Sequence, residues 1–375
     1  MHVGLNLIFL VPGETGGMEV AARELIPPLL AAAPPQMRFT AFVNRETAAA
    51  PAGWPNELEL VTVPVNARER VQWVLGEQLL LPRLARRAGV QLLHSLGGTG
   101  PARGPFRRVI TIHDVIYARH PEAHLGLRAR GMAVLVPLAA RRSDRIITVS
   151  HASRADLEEL LGLDGRRIDV VPNGLGAVRR GAPGPLPQIR ERLGLPAGEV
   201  VLCLSAKRPH KNLLALIDAL ALIDAERRPA LVIAGYPTAH ERELRGRVAA
   251  LHLDERVRIL GWVSDEEREA LWDLASAFVF PSLYEGFGLP VLEAMARGVP
   301  VACSSVSSLP EVAGDAALLF DPRDPAAIAG ATLTLLEDPA QAQRLRERGL
   351  KRAAQFTWER AAAGVLDSYA RALAS

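Results

Sequence analysis
Residues 278–301, FVFPSLYEGFGLPVLEAMARGVPV, limit what this chain can fold into more than any other stretch. Phe278, Val279 and Phe280 form a short apolar run bounded by Pro281, the pattern of a buried strand. Residues 283–288 read as a loop whose two glycines let backbone approach a ligand closely. Pro290 stands where a first helical residue belongs, since its missing N–H costs nothing there. Gly298 and Pro300 stop that helix, and 299–301 begin the next strand. The stretch is therefore a strand–loop–helix unit. Its loop falls at the carboxyl end of a parallel strand, where open α/β sheets bind ligands.

Two acids flank this unit, Glu285 on the loop and Glu293 one turn into the helix. The N–H groups at Gly288 and Leu289 point out of the helix start and make an anion site there. A phosphate at that point would leave a sugar near Glu285 and a ribose near Glu293. Carboxylates accept hydrogen bonds and do not neutralise phosphate, so hydroxyl recognition suits both acids. Taken alone, the acids also fit a surface Glu followed by a first-turn Glu favoured by the helix dipole.

The rest of the chain repeats the alternation. Strand-like runs alternate with helix-like runs almost throughout, which predicts parallel sheets with crossover helices. At 375 residues the chain is too long for one ordinary core, and two α/β domains are expected. A net charge of +3 with 5% aromatics gives no interleaved basic and aromatic surface, so no nucleic-acid partner is expected. Cys203 and Cys303 each lie in or beside an apolar strand-like run and are expected as buried free thiols. No Cys/His cluster with metal-ligand spacing occurs. The apolar run 3–11 lacks a basic n-region and reads as a first strand, not a signal peptide. No apolar run is long enough to span a membrane, so a cytoplasmic location is expected.

Several other segments carry candidate chemistry. Gly13-Glu-Thr-Gly-Gly17 follows the first strand and opens a helix over about 18–30, a turn able to cradle phosphate. Residues 67–88 read as one long amphipathic helix with Trp73, Leu80, Leu81 and Leu84 inward, ending in Arg83, Arg86 and Arg87. Val109-Ile-Thr-Ile-His113-Asp114 is a strand ending in a polar pair, with Asp114 expected to orient His113 or cap the turn. Residues 126–142 form a basic helix interrupted by Pro137, suited to an anionic membrane surface and equally to packing between domains. Ser150 caps the helix of 152–161. Residues 176–187, rich in Gly, Pro and Arg, read as the linker. Beyond it, Ser205-Ala-Lys-Arg-Pro-His-Lys-Asn212 joins a strand to a helix and offers Arg208 and Lys211 to a diphosphate. Ser264 and Asp265 start the helix of 266–274, and the Asp265 carboxylate could also accept the N1–H and N2–H of guanine.

Glu285 and Glu293, seven residues apart around Gly286-Phe287-Gly288-Leu289-Pro290, resemble the nucleotide-sugar motif of the family 4 retaining glycosyltransferases, near their bacterial mannosyltransferase branch. The resemblance covers nearly the whole chain and is most specific at 285–293. It implies an α/β fold of the GT-B type, with two Rossmann-like doubly wound domains facing a cleft. The expected division is 1–180 for the acceptor-side domain, 181–357 for the nucleotide-sugar domain and 358–375 for a helix returning to the first. It implies that Glu285 contacts the donor sugar and Glu293 the ribose, with Gly286, Phe287, Gly288 and Leu289 between them. It places Gly16 and Gly17 over the donor phosphates, His113 near the donor sugar, Lys211 on the diphosphate and the backbone at Val263 on the base. Ser205 and His210 depart from the family's usual Gly and Arg, and Ala206 stands where some members carry Arg. Lys207 or Arg208 is then the candidate second cation.

The implied reaction moves a sugar from a nucleoside diphosphate to an acceptor hydroxyl, with retention and without a metal or other cofactor. His113, Glu285 and Lys211 are its expected catalytic residues, and the departing phosphate is the implied base. The expected partners are a nucleotide-sugar donor and a glycan, lipid-linked or small-molecule acceptor, with membrane contact through the basic helices. GDP-mannose is the expected donor, because the layout from Trp73-x-x-x-Glu77-Gln78 through His113-Asp114 to Lys211-Asn212 resembles the mannosyltransferase branch of the family, and because Asp265 could serve as a guanine acceptor. The alternatives are a UDP-sugar donor such as UDP-glucose, a non-hydrolysing epimerase of the same fold, and a catalytically dead nucleotide-sugar scaffold.

Overall fold
The computed structural model describes residues 1–50, 53–119, 127–177 and 184–374, with backbone alone over 127–130. The chain divides into two compact units, Met1–Gly176 with Phe356–Ser375, and Ala177–Gln355. The boundaries fall at 176/177 and 355/356, against the 180/181 and 357/358 expected from sequence.

In unit 1, strands β1 (His2–Leu7), β2 (Arg38–Val43), β3 (Glu59–Thr62), β4 (Leu92–Ser95), β5 (Arg107–Thr111), β6 (Arg145–Thr148) and β7 (Ile168–Val170) form one sheet. Its order is β3-β2-β1-β4-β5-β6-β7, and each pairing is parallel. In unit 2, β8 (Val200–Leu204), β9 (Ala230–Ala234), β10 (Val257–Leu260), β11 (Ala277–Phe280), β12 (Val301–Ser304) and β13 (Ala317–Phe320) follow the order β10-β9-β8-β11-β12-β13, again parallel. Helices cover both faces of such sheets, which is why the central strands are apolar at nearly every position. The strand order reverses beside β1 in unit 1 and beside β8 in unit 2, and loops diverge at the carboxyl ends of those strands.

Several local expectations need correction. The first strand ends at Leu7 and does not run to Val11, because Leu10 N–H turns back to the Leu7 carbonyl and Asn44 Nδ2 donates to Ile8 and Leu10 carbonyls. The expected 67–88 helix is two α segments, Arg70–Leu75 and Leu81–Arg87, joined by a π turn at Gly76–Leu80. A Cβ at Gly76 would lie 2.7 Å from Val65 Cγ1, so the helical segment approaches the chain just after β3 closely there. The π turn also directs Glu77 inward, where Asn6 Nδ2 at 2.9 Å and Thr99 Oγ1 at 3.0 Å donate to it. Burial pushes the Glu77 carboxyl up to about 7. Helix Leu127–Arg142 continues through Pro137 and is not interrupted, while residue 126 lies outside the described residues. Of the expected linker 176–187, residues 178–183 lie outside the described residues and Leu186–Arg192 is helical. Cys203 and Cys303 are buried free thiols, each pushed up to about 12 by burial.

Helix Trp358–Ala374 packs in unit 1 against helix Gly17–Ala32 and is fastened by polar contacts. Tyr369 Oη meets His94 Nδ1 at 2.8 Å, and His94 Nε2 meets Thr111 Oγ1 at 2.8 Å. Asp169 accepts from Ser368 Oγ at 2.6 Å and pairs with Arg371 at 3.2 Å. Burial lowers the His94 pKa from 6.5 to about 3, so the folded ring stays neutral. Acidification from pH 6.5 toward 3 then protonates His94 in the unfolded chain only and lowers stability; above 6.5 both states are neutral and the effect vanishes. His94→Gln is expected to flatten the pH dependence of unfolding across that window, by at most about 1.4 kcal/mol per pH unit. Parallel pH profiles for the two proteins would remove His94 as their source.

Candidate active site
The site in unit 2 is built where the strand order reverses, from the loop after β8 and the loop and helix after β11. Asn212 takes a left-handed conformation at φ 56°, and its Nδ2 donates to the carbonyls of Pro281 at 3.1 Å and Pro322 at 2.7 Å. That lock fixes the preceding residue. Lys211 Nζ lies 2.5 Å from Glu285 Oε1 and 5.6 Å from the centroid of Phe280. Both side chains of the pair are largely buried, at 17% and 12% exposure. Lys211 and Glu285, 74 residues apart in sequence, thus form one charged contact.

The Glu285 loop is held by serines that the sequence did not single out. Ser307 Oγ donates to Glu285 O at 2.7 Å, and Ser308 Oγ donates to Glu285 O at 2.9 Å and to Phe287 O at 2.6 Å. These hydroxyls tie the Glu285 and Phe287 carbonyls to the segment after β12. Gly288 has φ 121° and precedes helix Leu289–Ala296, and a Cβ there would stand 2.7 Å from Leu309 Cδ2. The positive φ favours glycine, and a side chain there would also have to displace the buried Leu309. In the first turn Pro290 carries no N–H and the Val291 N–H bonds the Gly288 carbonyl at 3.0 Å, so the Leu289 N–H is the one left without an intrahelical acceptor by helix geometry.

Glu293 lies on the same helix, half-buried, and no ion pair or hydrogen bond to its carboxylate occurs among the described residues. Burial raises its pKa, while the Arg297 and Arg268 charges oppose the rise and the Glu269 charge adds to it. Arg297 is engaged elsewhere, in a two-oxygen contact with the buried Glu269 at 2.9 and 3.0 Å. Glu293 therefore keeps its acceptor capacity for a ligand. Arg208 is half-buried, and its guanidinium has no acidic partner among the described residues. Lys207, the other candidate second cation, is excluded from that role. It is fully buried, with Nζ donating to the carbonyls of Gly235 at 2.7 Å and Leu260 at 2.5 Å. Asp265 is 77% exposed and paired with Arg268 at 3.1 Å, in the first turn of a helix capped by Ser264 and Glu267. Val263 is half-exposed in the segment between β10 and that helix.

In unit 1, His113 follows β5 at its carboxyl end and is half-buried. Burial lowers its pKa, opposed by the Asp114 charge and a hydrogen bond to the Leu96 backbone. Asp114 Oδ1 accepts the Ile116 N–H at 3.0 Å and so caps the turn. Gly16 has φ 68° at the N-terminus of helix Gly17–Ala32, and a side chain at Gly16 or Gly17 would meet nothing within 4 Å. Ser150 is the helix cap expected, accepting from Ser153 N–H at 2.9 Å.

Comparison with known proteins identifies the class. Residues 187–352 match the model described as Glycosyl transferases group 1, and residues 15–179 match that described as Glycosyltransferase Family 4. The chain is 35% identical over 274 residues to an O-antigen chain mannosyltransferase B of Escherichia coli, covering 70% of each chain. It is 32% identical over 288 residues to an MMP alpha-(1->4)-mannosyltransferase of Mycolicibacterium hassiacum, covering 73% of this chain and 67% of that one. The structure of Anabaena Alr3699/HepE in complex with UDP-glucose superposes with a TM-score of 0.77 at 19% identity, over 99% of both chains. This protein is a glycosyltransferase. It belongs to glycosyltransferase family 4 and has the GT-B fold.

Proposed function
We propose that this chain transfers mannose from GDP-mannose to a hydroxyl of a glycan, lipid-linked or small-molecule acceptor, as a step in polysaccharide synthesis. It does so with retention of configuration and with no divalent metal. The observation that carries this is the constellation of Lys211, Glu285 and Glu293 around the helix start at Gly288. Lys211, Arg208 and the N–H groups at Gly288 and Leu289 stabilise the charge on the departing diphosphate. Glu285 and Glu293 accept hydroxyls of the sugar and the ribose. Two relatives named as mannosyltransferases support the choice of sugar. The test is slow free-sugar release from a panel of nucleotide sugars, run with and without EDTA. Release from GDP-mannose unaffected by EDTA is expected. Nucleotide binding without release from any donor would identify a dead scaffold, and restoration by Mg²⁺ after EDTA would contradict metal-free transfer.

A UDP-sugar donor is the second proposal. It is favoured by the Asp265 carboxylate, which faces solvent and Arg268 and is not reserved for guanine. Tighter binding of UDP than GDP decides for it. Glu293→Gln is expected to weaken binding of the preferred nucleoside diphosphate by about 1–3 kcal/mol, since a charged acceptor is lost. Unchanged affinity in calorimetry would reject Glu293 as the ribose ligand.

We further propose that the enzyme works in the cytoplasm, at the inner face of a membrane. No described helix is long and apolar enough to cross one. Val71, Leu75 and Leu79, four residues apart, are 73%, 51% and 49% exposed, and Arg83, Arg86 and Arg87 continue that helical segment into solvent. Helix Leu127–Arg142 exposes Val134 and Leu138 and ends in Arg141 and Arg142. Both segments belong to crossovers that run the same way across the sheet, which puts them on one face when the crossovers are right-handed. A basic surface with an aliphatic row suits an anionic interface. Wild-type protein is expected to sediment with phosphatidylglycerol vesicles and not with phosphatidylcholine vesicles, and a Val71→Ser/Leu75→Ser/Leu79→Ser variant with neither.

A further inference from the structure
The π turn at Gly76–Leu80 aims two adjacent side chains at one loop. Glu77 Oε1 accepts from Thr99 Oγ1 at 3.0 Å and from Asn6 Nδ2 at 2.9 Å. Gln78 Nε2 donates to the Gly100 carbonyl at 3.0 Å, and its Oε1 accepts the Ala102 N–H at 3.0 Å. The loop after β4, residues 96–102, is therefore held at Thr99, Gly100 and Ala102. Asn6 Nδ2 also donates to Ser95 Oγ at 3.2 Å, and these two residues stand opposite one another where β1 pairs with β4. Glu77 and Gln78 thus act at the carboxyl ends of the strand pair where the order of this sheet reverses, the place where open α/β sheets bind ligands.

A purely structural clip would not need this arrangement. Glu77 is 1% exposed, and no cation contacts its carboxyl among the described residues. Taking a carboxyl out of water without a cation costs free energy. A π turn departs from regular helical hydrogen bonding, and such turns recur at functional sites. Gly97, Gly98 and Gly100 leave the loop few side chains to pack, so its shape depends on contacts from outside it.

The held loop leads to His113. Gly98 N–H donates to the Thr111 carbonyl at 3.0 Å, two residues before His113. The His113 ring is hydrogen-bonded to the Leu96 backbone, and because that bond raises the ring's pKa, the ring N–H donates and the Leu96 carbonyl accepts. A hydrogen bond at one ring nitrogen sets the tautomer and leaves the other nitrogen for a ligand. Leu96, Thr111 and His113 line one cavity of unit 1. From another side, Ser153 Oγ donates to the His113 carbonyl at 3.2 Å, so ring and backbone are held by different elements.

We infer that Glu77 and Gln78 are positioning residues for His113, fixing the orientation of its ring through the loop 96–102. The inference rests on the transfer reaction proposed above, in which His113 is an expected catalytic residue.

The first readout is the His113 ring, followed in the full chain by heteronuclear NMR of histidine-labelled protein, with His113→Gln used to assign its signals. At neutral pH wild type is expected to show one neutral tautomer. Gln78→Met keeps the bulk of the side chain and loses both loop contacts, and Thr99→Val cuts the Glu77 contact from the loop side. Each, with folding checked by circular dichroism, is expected to show a mixture of tautomers. The second readout is sugar release from the preferred nucleotide sugar. Both variants are expected to lose about 10- to 100-fold in turnover while nucleoside diphosphate affinity stays unchanged. Glu77→Gln retains an oxygen that accepts from Asn6 and Thr99 and should keep most of the rate, whereas Glu77→Met should not. In a His113→Ala background Gln78→Met should lower the rate no further, a result that general destabilisation would not produce. An unchanged His113 tautomer in both Gln78→Met and Thr99→Val overturns the inference. If wild type releases no sugar from any donor, the proposed function falls, and the ring readout still decides whether Glu77 and Gln78 hold His113.

Discussion

Lys211→Ala is expected to lower turnover by about 10²–10³-fold in a protein that still folds. In the reaction proposed above a diphosphate leaves, and the negative charge on it would grow as the bond to the sugar breaks. A cation that meets more charge in the transition state than in the ground state acts chiefly on turnover. Lys211 is placed for this by the left-handed Asn212 and its two carbonyl contacts, and it is held 2.5 Å from Glu285. Removing it leaves Glu285 without its cation at 12% exposure, so donor binding is expected to weaken as well. Lys211→Arg keeps the charge but not the compact ammonium, and it should recover only part of the rate. A folded Lys211→Ala enzyme with wild-type turnover would exclude this residue from leaving-group stabilisation.

Arg297→Ala is expected to destabilise the protein by about 3 kcal/mol in urea unfolding. Glu269 is 7% exposed and Arg297 is 11% exposed, with two short contacts between them. The guanidinium also lies 5.2 Å from the centroid of Trp272. Truncation leaves a buried carboxylate whose remaining cation is Arg268 at 3.6 Å, a contact too long to replace the pair. The cost therefore falls at the low end of the range for broken buried pairs. Replacing both partners together, as Glu269→Leu/Arg297→Met, should return most of the lost stability, because no charge is then stranded. The single mutant should also bind nucleotide less well at neutral pH. Arg297 opposes the upward shift of the Glu293 pKa, so its loss favours the protonated acid. Equal stabilities of the single and double variants would show that the pair carries no such energy.

The strand–loop–helix at 278–301 was legible because each of its signals is local. An apolar run, a proline at the first turn and a glycine before it act within a few residues. The same holds for the Ser150 cap and for the alternation that predicts two parallel sheets. By contrast, the 67–88 segment has an unbroken helical pattern, and only the close approach of Gly76 to Val65 and the inward Glu77 explain its π turn. Lys207 shows the limit most clearly. In a basic loop of sequence Ala-Lys-Arg-Pro, nothing local distinguishes a ligand-facing lysine from one buried against the carbonyls of Gly235 and Leu260.

From the sequence alone come the fold class and Lys211, Glu285 and Glu293 as candidate site residues, since periodicity and a motif of fixed spacing are properties of neighbours along the chain. The tertiary structure decided which charges meet. Lys211 reaches Glu285 across 74 residues, Arg297 turns to Glu269 and leaves the Glu293 carboxylate unpaired, and Ser307 and Ser308 hold the loop between them. These are long-range contacts fixed by the order of strands in the sheet. The Lys211–Glu285 contact is settled only when β8 and β11 pair, and the serine contacts only when β11 and β12 pair.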